Sequence, residues 1–226
     1  MEPPEAMRIR VTADGPYEVV GSVPLQVQTI VTNRRGESID WRKSGEFEVA
    51  ETYHLCRCGG SLSKPFCDGS HLENGFDGAE SASREPYLKQ ADTQRGPTLN
   101  LTDNTSLCAF ARFCDPEGQV WNLVEQEGDA AAKLTIGEAG LCPSGRLVAW
   151  NKKSDALEPR FDPSIGLIED PKLGVSGPIW VRGEIPIESS DGEQYEVRNR
   201  VTLCRCGASS NKPFCDGSHA SIRFKA

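Results

Sequence analysis

The chain has 226 residues, 25 Lys+Arg against 33 Asp+Glu for a net charge of -8, nine cysteines and three histidines. Hydrophobic residues make up 37% before the 22 glycines are counted, the share of a globular chain of one or two domains rather than a disordered one. The acidic balance without a basic run argues against nucleic acid as a partner, because that affinity comes from neutralising phosphates.

The longest uncharged stretch, residues 19–33, is broken by Pro24, Gln26 and Gln28. It falls short of the ~20 apolar residues a membrane helix needs, so no membrane association is expected. No positive segment followed by an apolar one opens the sequence, so a cytoplasmic, reducing location is expected. Clustered thiols there serve metal or redox chemistry rather than disulfides.

In chain order, residues 8–12, 18–20 and 47–55 read as short strands, being β-branched and aromatic between Gly, Pro and Asp boundaries. Residues 55–71, LCRCGGSLSKPFCDGSH, follow, and they return at 203–219 as LCRCGASSNKPFCDGSH with fourteen of seventeen positions identical. The likeness extends upstream: Gly15-Pro16, Val19, Gly21 and Pro24 match Gly177-Pro178, Val181, Gly183 and Pro186 at a spacing of 162, whereas the cysteines repeat at 148. A 14-residue insertion in the first copy, within residues 26–45, accounts for the difference. Phe76 and Phe224 close the two copies, each five residues after its histidine.

Between the copies, residues 119–125 predict a strand, residues 135–139 a short helix, and the Pro/Asp/Gly-rich residues 158–177 a loop or linker. In the second copy, residues 179–187 and 195–203 predict strands. The expected organisation is a first unit at 1–82, a divergent middle segment at 83–175 and a second unit at 176–226, in a mostly β protein with small α+β elements.

Each copy presents C-x-C-x8-C-x3-H: Cys56, Cys58, Cys67 and His71, then Cys204, Cys206, Cys215 and His219. The x3 spacing brings Cys67 and His71 to one face of a helical turn, with Asp68 and Asp216 placed to cap it. A sharp bend, for which Gly59-Gly60 and Gly207 give the freedom, lets Cys56 and Cys58 reach a single metal. Four such ligands suit either one tetrahedral zinc or a two-iron cluster with two ligands per iron, and spacing alone leaves both open.

The block C-x-C-x2-S-x3-P-x-C-D-G-S-H, complete twice, resembles the signature of the CDGSH iron-sulfur domains, the mitoNEET family. The resemblance covers about 60 residues in two windows. It implies two [2Fe-2S] clusters, with Cys56 and Cys58 on the inner iron and Cys67 and His71 on the outer iron of one. Cys204, Cys206, Cys215 and His219 would hold the other in the same way. With two motifs and no anchor, the chain is similar to the tandem, soluble branch, in which two halves form a pseudo-two-fold pair within a monomer.

Three thiolates and a neutral imidazole leave such a cluster at charge -1 oxidised and -2 reduced, one unit less negative than with four thiolates. It is therefore easier to reduce, and reduction makes the bound imidazole more basic. Protonating that histidine away from iron would loosen the cluster. Two functions follow: one-electron transfer to a redox partner, or donation of labile clusters to an apo iron-sulfur acceptor protein. A structural zinc module is the alternative.

No nucleophile–base pair suggests an enzyme, and the one other histidine, His54, reads as structural. Arg57/Arg205 and Lys64/Lys212 read either as solvated charge or as groups offsetting cluster charge. Ser61/Ser209 read as turn caps or donors to sulfur, and Pro65/Pro213 as fixing the loop. Phe66/Phe214 read as covers for the cluster. Cys108, Cys114 and Cys142-Pro143 are similar to a single-cluster ferredoxin pattern whose central cysteine is replaced by Ala111. Bulky Phe110, Arg112 and Phe113 argue against a loop that wraps a cluster, so a vestigial ferredoxin-like packing domain is expected there.

Overall fold

The computed structural model describes residues 6–226. Two sheets face one apolar core, and each draws strands from both copies. The first has the order β11–β1–β2–β5, with β1 (Arg8–Val11), β2 (Tyr17–Val20), β5 (Thr52–Leu55) and β11 (Ile187–Glu188). The second has the order β12–β10–β9–β3–β4, with β3 (Leu25–Thr32), β4 (Ser38–Phe47), β9 (Ser164–Asp170), β10 (Val175–Arg182) and β12 (Arg200–Leu203).

The pairing is reciprocal. β1 takes β11 of the second copy as a parallel neighbour with Ile9 opposite Ile187, and β9 takes β3 of the first with Ile165 opposite Leu25. All other pairs in these sheets are antiparallel. Each copy thus lends one strand to the other, and Ile9, Val19, Leu25, Ile165, Val181 and Ile187 meet in a single buried cluster. Such a core cannot be divided between the copies without stripping both, since the stabilisation scales with apolar area removed from water.

β9 corrects the expectation of a linker over residues 158–177. Pro163 and Pro171 punctuate this stretch, but the seven residues inside β9 alternate Ile165 and Leu167 toward the shared core and Ile168 toward the opposite face. β9 is the second-copy counterpart of β1. The 14-residue insertion falls in the β3–β4 hairpin, whose second-copy counterpart is the two-residue β11.

The middle segment builds its own antiparallel sheet, β6 (Asp92–Arg95), β7 (Asn100–Asp103) and β8 (Leu147–Trp150). Preceded by α1 (Tyr87–Gln90), this sheet packs on α2 (Val120–Leu123) and α3 (Asp129–Leu141), and α4 (Ser218–Ser221) follows in the second copy. Residues 119–125, expected as a strand, fold as α2 because the buried Val120, Leu123 and Val124 recur at helical rather than alternating spacing. The helix expected at 135–139 is the C-terminal part of α3. Phe113 and Ala111 join Trp180, Ile168 and Ile30 in a further cluster that docks the middle segment on the outer face of the second sheet.

Candidate metal centres

The same backbone arrangement builds both cysteine–histidine sites. At the end of β5, Cys56 N donates to Pro65 O (2.8 Å) and Cys67 N donates to His54 O (2.9 Å). At the end of β12, Cys204 N donates to Pro213 O (2.8 Å) and Cys215 N to Thr202 O (2.9 Å). The loop that leaves each strand thus folds back as a short ladder and returns the third cysteine opposite the residue two before the first, His54 or Thr202. Ser61 and Ser209 pin this loop by donating to Phe66 O and Phe214 O, both at 2.7 Å, so they cap the turn.

Asp68 Oδ1 accepts from Ser70 N (3.0 Å) and Ser70 Oγ (2.6 Å), and its Oδ2 accepts from Leu62 N (2.7 Å). These hydrogen bonds, Ser70 first, hold its carboxyl well below the usual carboxylate range. Asp216 repeats the pattern with Ser218 and Ser210; burial pushes it up, but the hydrogen bonds outweigh burial and hold it at about 2.

The ligand atoms come together in pairs. Cys56 Sγ and Cys58 Sγ are 3.8 Å apart, Cys204 Sγ and Cys206 Sγ 3.7 Å. Cys67 Sγ lies 3.5 Å from His71 Nδ1, and Cys215 Sγ 3.5 Å from His219 Nδ1. Two ligands on one tetrahedral metal, with sulfur at about 2.3 Å and nitrogen at about 2.0–2.1 Å, stand about 3.8 Å apart for S/S and about 3.5 Å for S/N. Each pair therefore fits one metal ion. Among the described residues no three of His, Cys, Asp or Glu approach closely enough to share a single ion.

The two loops meet back to back. A Cβ on Gly59 would lie 2.7 Å from Cys206 O, and one on Gly207 would lie 2.6 Å from Cys58 O. Both glycines have positive φ, 76° and 79°, so only glycine fits at the pseudo-two-fold axis. Tyr17, wholly buried, crosses between the copies and donates to Cys204 O at 2.8 Å. Nothing in the sequence singled Tyr17 out.

Arg57 and Arg205 are not solvated charges, at 1% and 5% exposed. Arg57 donates to Thr12 O and Gly78 O, and Arg205 to Gly177 O and Ile168 O. Phe76 and Phe224 stack on these guanidiniums at 5.5 and 5.8 Å, which gives the closing phenylalanine of each copy its role. Lys64 Nζ donates to Ser61 O in its own loop. Phe66 and Phe214, expected as covers, pack against the shared core. Their bridges to Leu55 and Leu203 turn the rings into the core, edge-on to Tyr53 and Tyr195. The His54 side chain is half exposed beside Glu18.

Surroundings then separate the sites. Cys67 and His71 are only partly buried, with Leu72 81% exposed beside them. Cys215 and His219 are at 3% and 5%. Burial pushes the Cys215 thiol well up and holds His219 at about 4, helped by Arg205 and opposed by Asp170 and Asp216. In the Cys204–Cys206 pair the hydrogen bond holds the first thiol low and pushes the second up.

Cys108, Cys114 and Cys142 line one cavity of about 30 Å³, more than one water requires. The loop does wrap tightly, against the expectation drawn from its bulky residues. Phe110 and Arg112 adopt positive φ, 54° and 61°. Phe110 is left half exposed and the buried Phe113 packs against Trp41 at 4.7 Å, while both, with Arg112, also line the cavity beside the thiols. Burial, with the charges of Asp115 and Cys142, pushes the Cys114 thiol up to about 12. Three cysteines line this one cavity, and Ala111 offers no fourth.

Paired cysteine–histidine sites at the ends of a strand-swapped duplication define a tandem metal-binding protein. Residues 14–72 and 176–220 match the iron-binding zinc finger CDGSH type family, and residues 94–152 match the divergent 4Fe-4S mono-cluster family. The chain thus carries two CDGSH-type iron-binding segments with a divergent iron-sulfur segment between them, an arrangement that matches a tandem CDGSH protein. No curated protein and no solved structure matches it.

Proposed function

We propose that the chain holds two [2Fe-2S] clusters, one on Cys56, Cys58, Cys67 and His71 and one on Cys204, Cys206, Cys215 and His219. The observation that carries this reading is the division of each site into two close pairs. A single tetrahedral zinc would require all four ligands within about 3.8 Å of one another. Two irons bridged by sulfide require the ligands two and two.

When bound, such a cluster takes up one electron at a time. The protein's part is to place three thiolates and one imidazole. With Nδ1 of His71 and His219 turned to the metal, Nε2 is the atom that gains or loses a proton as the cluster charge changes. Gly60 N and Gly217 N donate to Cys58 Sγ and Cys215 Sγ at 3.3 and 3.4 Å and offset negative charge on those sulfurs. The function this supports is non-catalytic: proton-coupled electron transfer with a redox partner, or handing clusters to an apo iron-sulfur acceptor. Among the described residues no helix is long and apolar enough to cross a membrane.

The test is the visible and electron paramagnetic resonance spectrum of the full chain, followed by its potential against pH. A coloured protein whose potential falls by about 59 mV per pH unit, the one-electron, one-proton value, is expected. His71→Cys with His219→Cys should flatten that slope. A colourless protein carrying zinc would refute the cluster reading, and an unchanged slope in the double variant would refute the proton coupling.

A further inference from the structure

We infer that the Cys108/Cys114/Cys142 pocket is a cluster site paired for electron transfer with the second CDGSH site and not with the first. Two independent contacts carry this. Gly217, in the turn between Cys215 and His219, lies so near the middle loop that a Cβ there would be 3.0 Å from Cys108 O and 3.3 Å from Phe110 Cβ. Gly217 N is the donor to Cys215 Sγ, so the Cys108 backbone closely approaches the residue whose amide is bonded to a second-site sulfur.

The other contact runs through Arg200 on β12, 1% exposed, whose Nε donates to Cys142 O at 2.7 Å. Its Nη2 donates to Ala139 O and Leu147 O, and its Nη1 pairs with Glu158. β12 runs directly into Cys204. The backbones of two of the three pocket cysteines thus lie against the second unit, Cys142 hydrogen-bonded to the strand that leads into Cys204 and Cys108 beside the turn between Cys215 and His219. Asn211 Nδ2 donating to Ser106 O (3.0 Å) and Arg112 paired with Asp170 (2.7 Å) close the same seam.

Among the described residues the first site has no such neighbour. Gly69, the counterpart of Gly217 with φ 92° against 89°, has nothing within 4 Å of its Cβ position. Thr52, the counterpart of Arg200, is exposed. The left-handed Phe110 and Arg112 add to the argument, since such conformations in non-glycine residues persist where the surrounding structure imposes them and gather at functional sites. With three thiolates and Ala111 in the fourth place, the pocket suits a cluster with three cysteine ligands, of the [3Fe-4S] type.

The step is a single electron passing between the pocket and the second site. An external one-electron reductant supplies it, the giving site is oxidised, the accepting site is reduced, and no bond forms or breaks.

This pairing rests on the reading of the CDGSH sites as [2Fe-2S] centres, and full-length variants keep the two ideas separable. Cys67→Ser leaves the second site and the pocket; Cys215→Ser leaves the first site and the pocket. Adding Cys114→Ser to each disables the pocket. In dithionite-reduced protein, the paramagnetic signal of the second centre should relax faster while the pocket is filled and lose that enhancement with Cys114→Ser, along with a drop in iron per chain. The first centre's signal should not change. Gly217→Ala should weaken the enhancement by pressing on Cys108 O, whereas Gly69→Ala, with equal backbone strain, should not.

Unchanged iron on Cys114→Ser, an unchanged second-centre signal, or equal effects on both centres would overturn the pairing. Absence of any [2Fe-2S] signal from both single-site backgrounds would instead overturn the function proposed above.

Discussion

The two CDGSH units share fourteen of seventeen residues in the cysteine-to-histidine block and place their ligand atoms to within 0.1 Å of one another, 3.8 against 3.7 Å and 3.5 against 3.5 Å. Yet His71 is partly open to solvent under an exposed Leu72, while His219 is 5% exposed beneath the middle segment. Local sequence therefore sets ligand geometry, and the neighbouring chain sets access. Two nearly identical sites in one chain are poised for different behaviour: the first for contact with molecules outside, the second for contact with the middle segment.

The sharpest way to break that comparison is at the axis, where the units are equal. Gly207→Ala sets a Cβ 2.6 Å from Cys58 O at φ 79°, and Gly59→Ala does the reverse at 2.7 Å. Each should cost roughly 3 kcal/mol and loosen both clusters together. Denaturation midpoints and iron per chain check this, and damage confined to the mutated unit would show the units to be independent.

Next in size is acid release. Protonation of the ligand imidazole competes with the metal, and burial keeps His219 neutral down to about 4, below the ordinary histidine value of about 6.5. The sign follows: lowering pH should empty the first site before the second. A rate difference on the order of tenfold is expected, about 1.4 kcal/mol in barrier. Decay of visible absorption in Cys215→Ser and Cys67→Ser proteins near pH 6 measures it, and equal rates would remove the asymmetry.

The smallest effect expected is from Tyr17→Phe, which strips the hydroxyl bonded to Cys204 O and Pro213 O in a buried place. A loss of about 1 kcal/mol is expected, with a shorter lifetime for the second cluster only. A matching loss at the first site would mean that Tyr17 acts on the whole core rather than on the second loop.

The ligand block was legible because it is local. C-x-C, the bend glycines and the i, i+4 Cys–His pair act within seventeen residues, and repetition in one register marks them as a unit; the aspartates, expected as caps, sit one residue before the capping Gly69 and Gly217 and accept instead from Ser70 and Ser218 and from the loop. The strand flanks were largely legible for the same reason. β9 was not, since its strand character depends on pairing with β3, far away in sequence, as well as with the adjacent β10, while Pro163 and Pro171 at its borders imitate a linker. α2 was misread because β-branched and aromatic content outweighed the i, i+3, i+4 spacing of Val120, Leu123 and Val124.

The sequence by itself determined that this chain is a duplication carrying two Cys3His sites and a three-cysteine remainder. Only the tertiary structure decided that the copies exchange strands around one core, that Arg57 and Arg205 are structural, and that the three remaining thiols face one cavity beside the second site. The physical reason is range. Ligand spacing and turn chemistry act over a few bonds, whereas burial of His219 and the grip of Arg200 on Cys142 depend on surfaces that meet only once the sheets have packed.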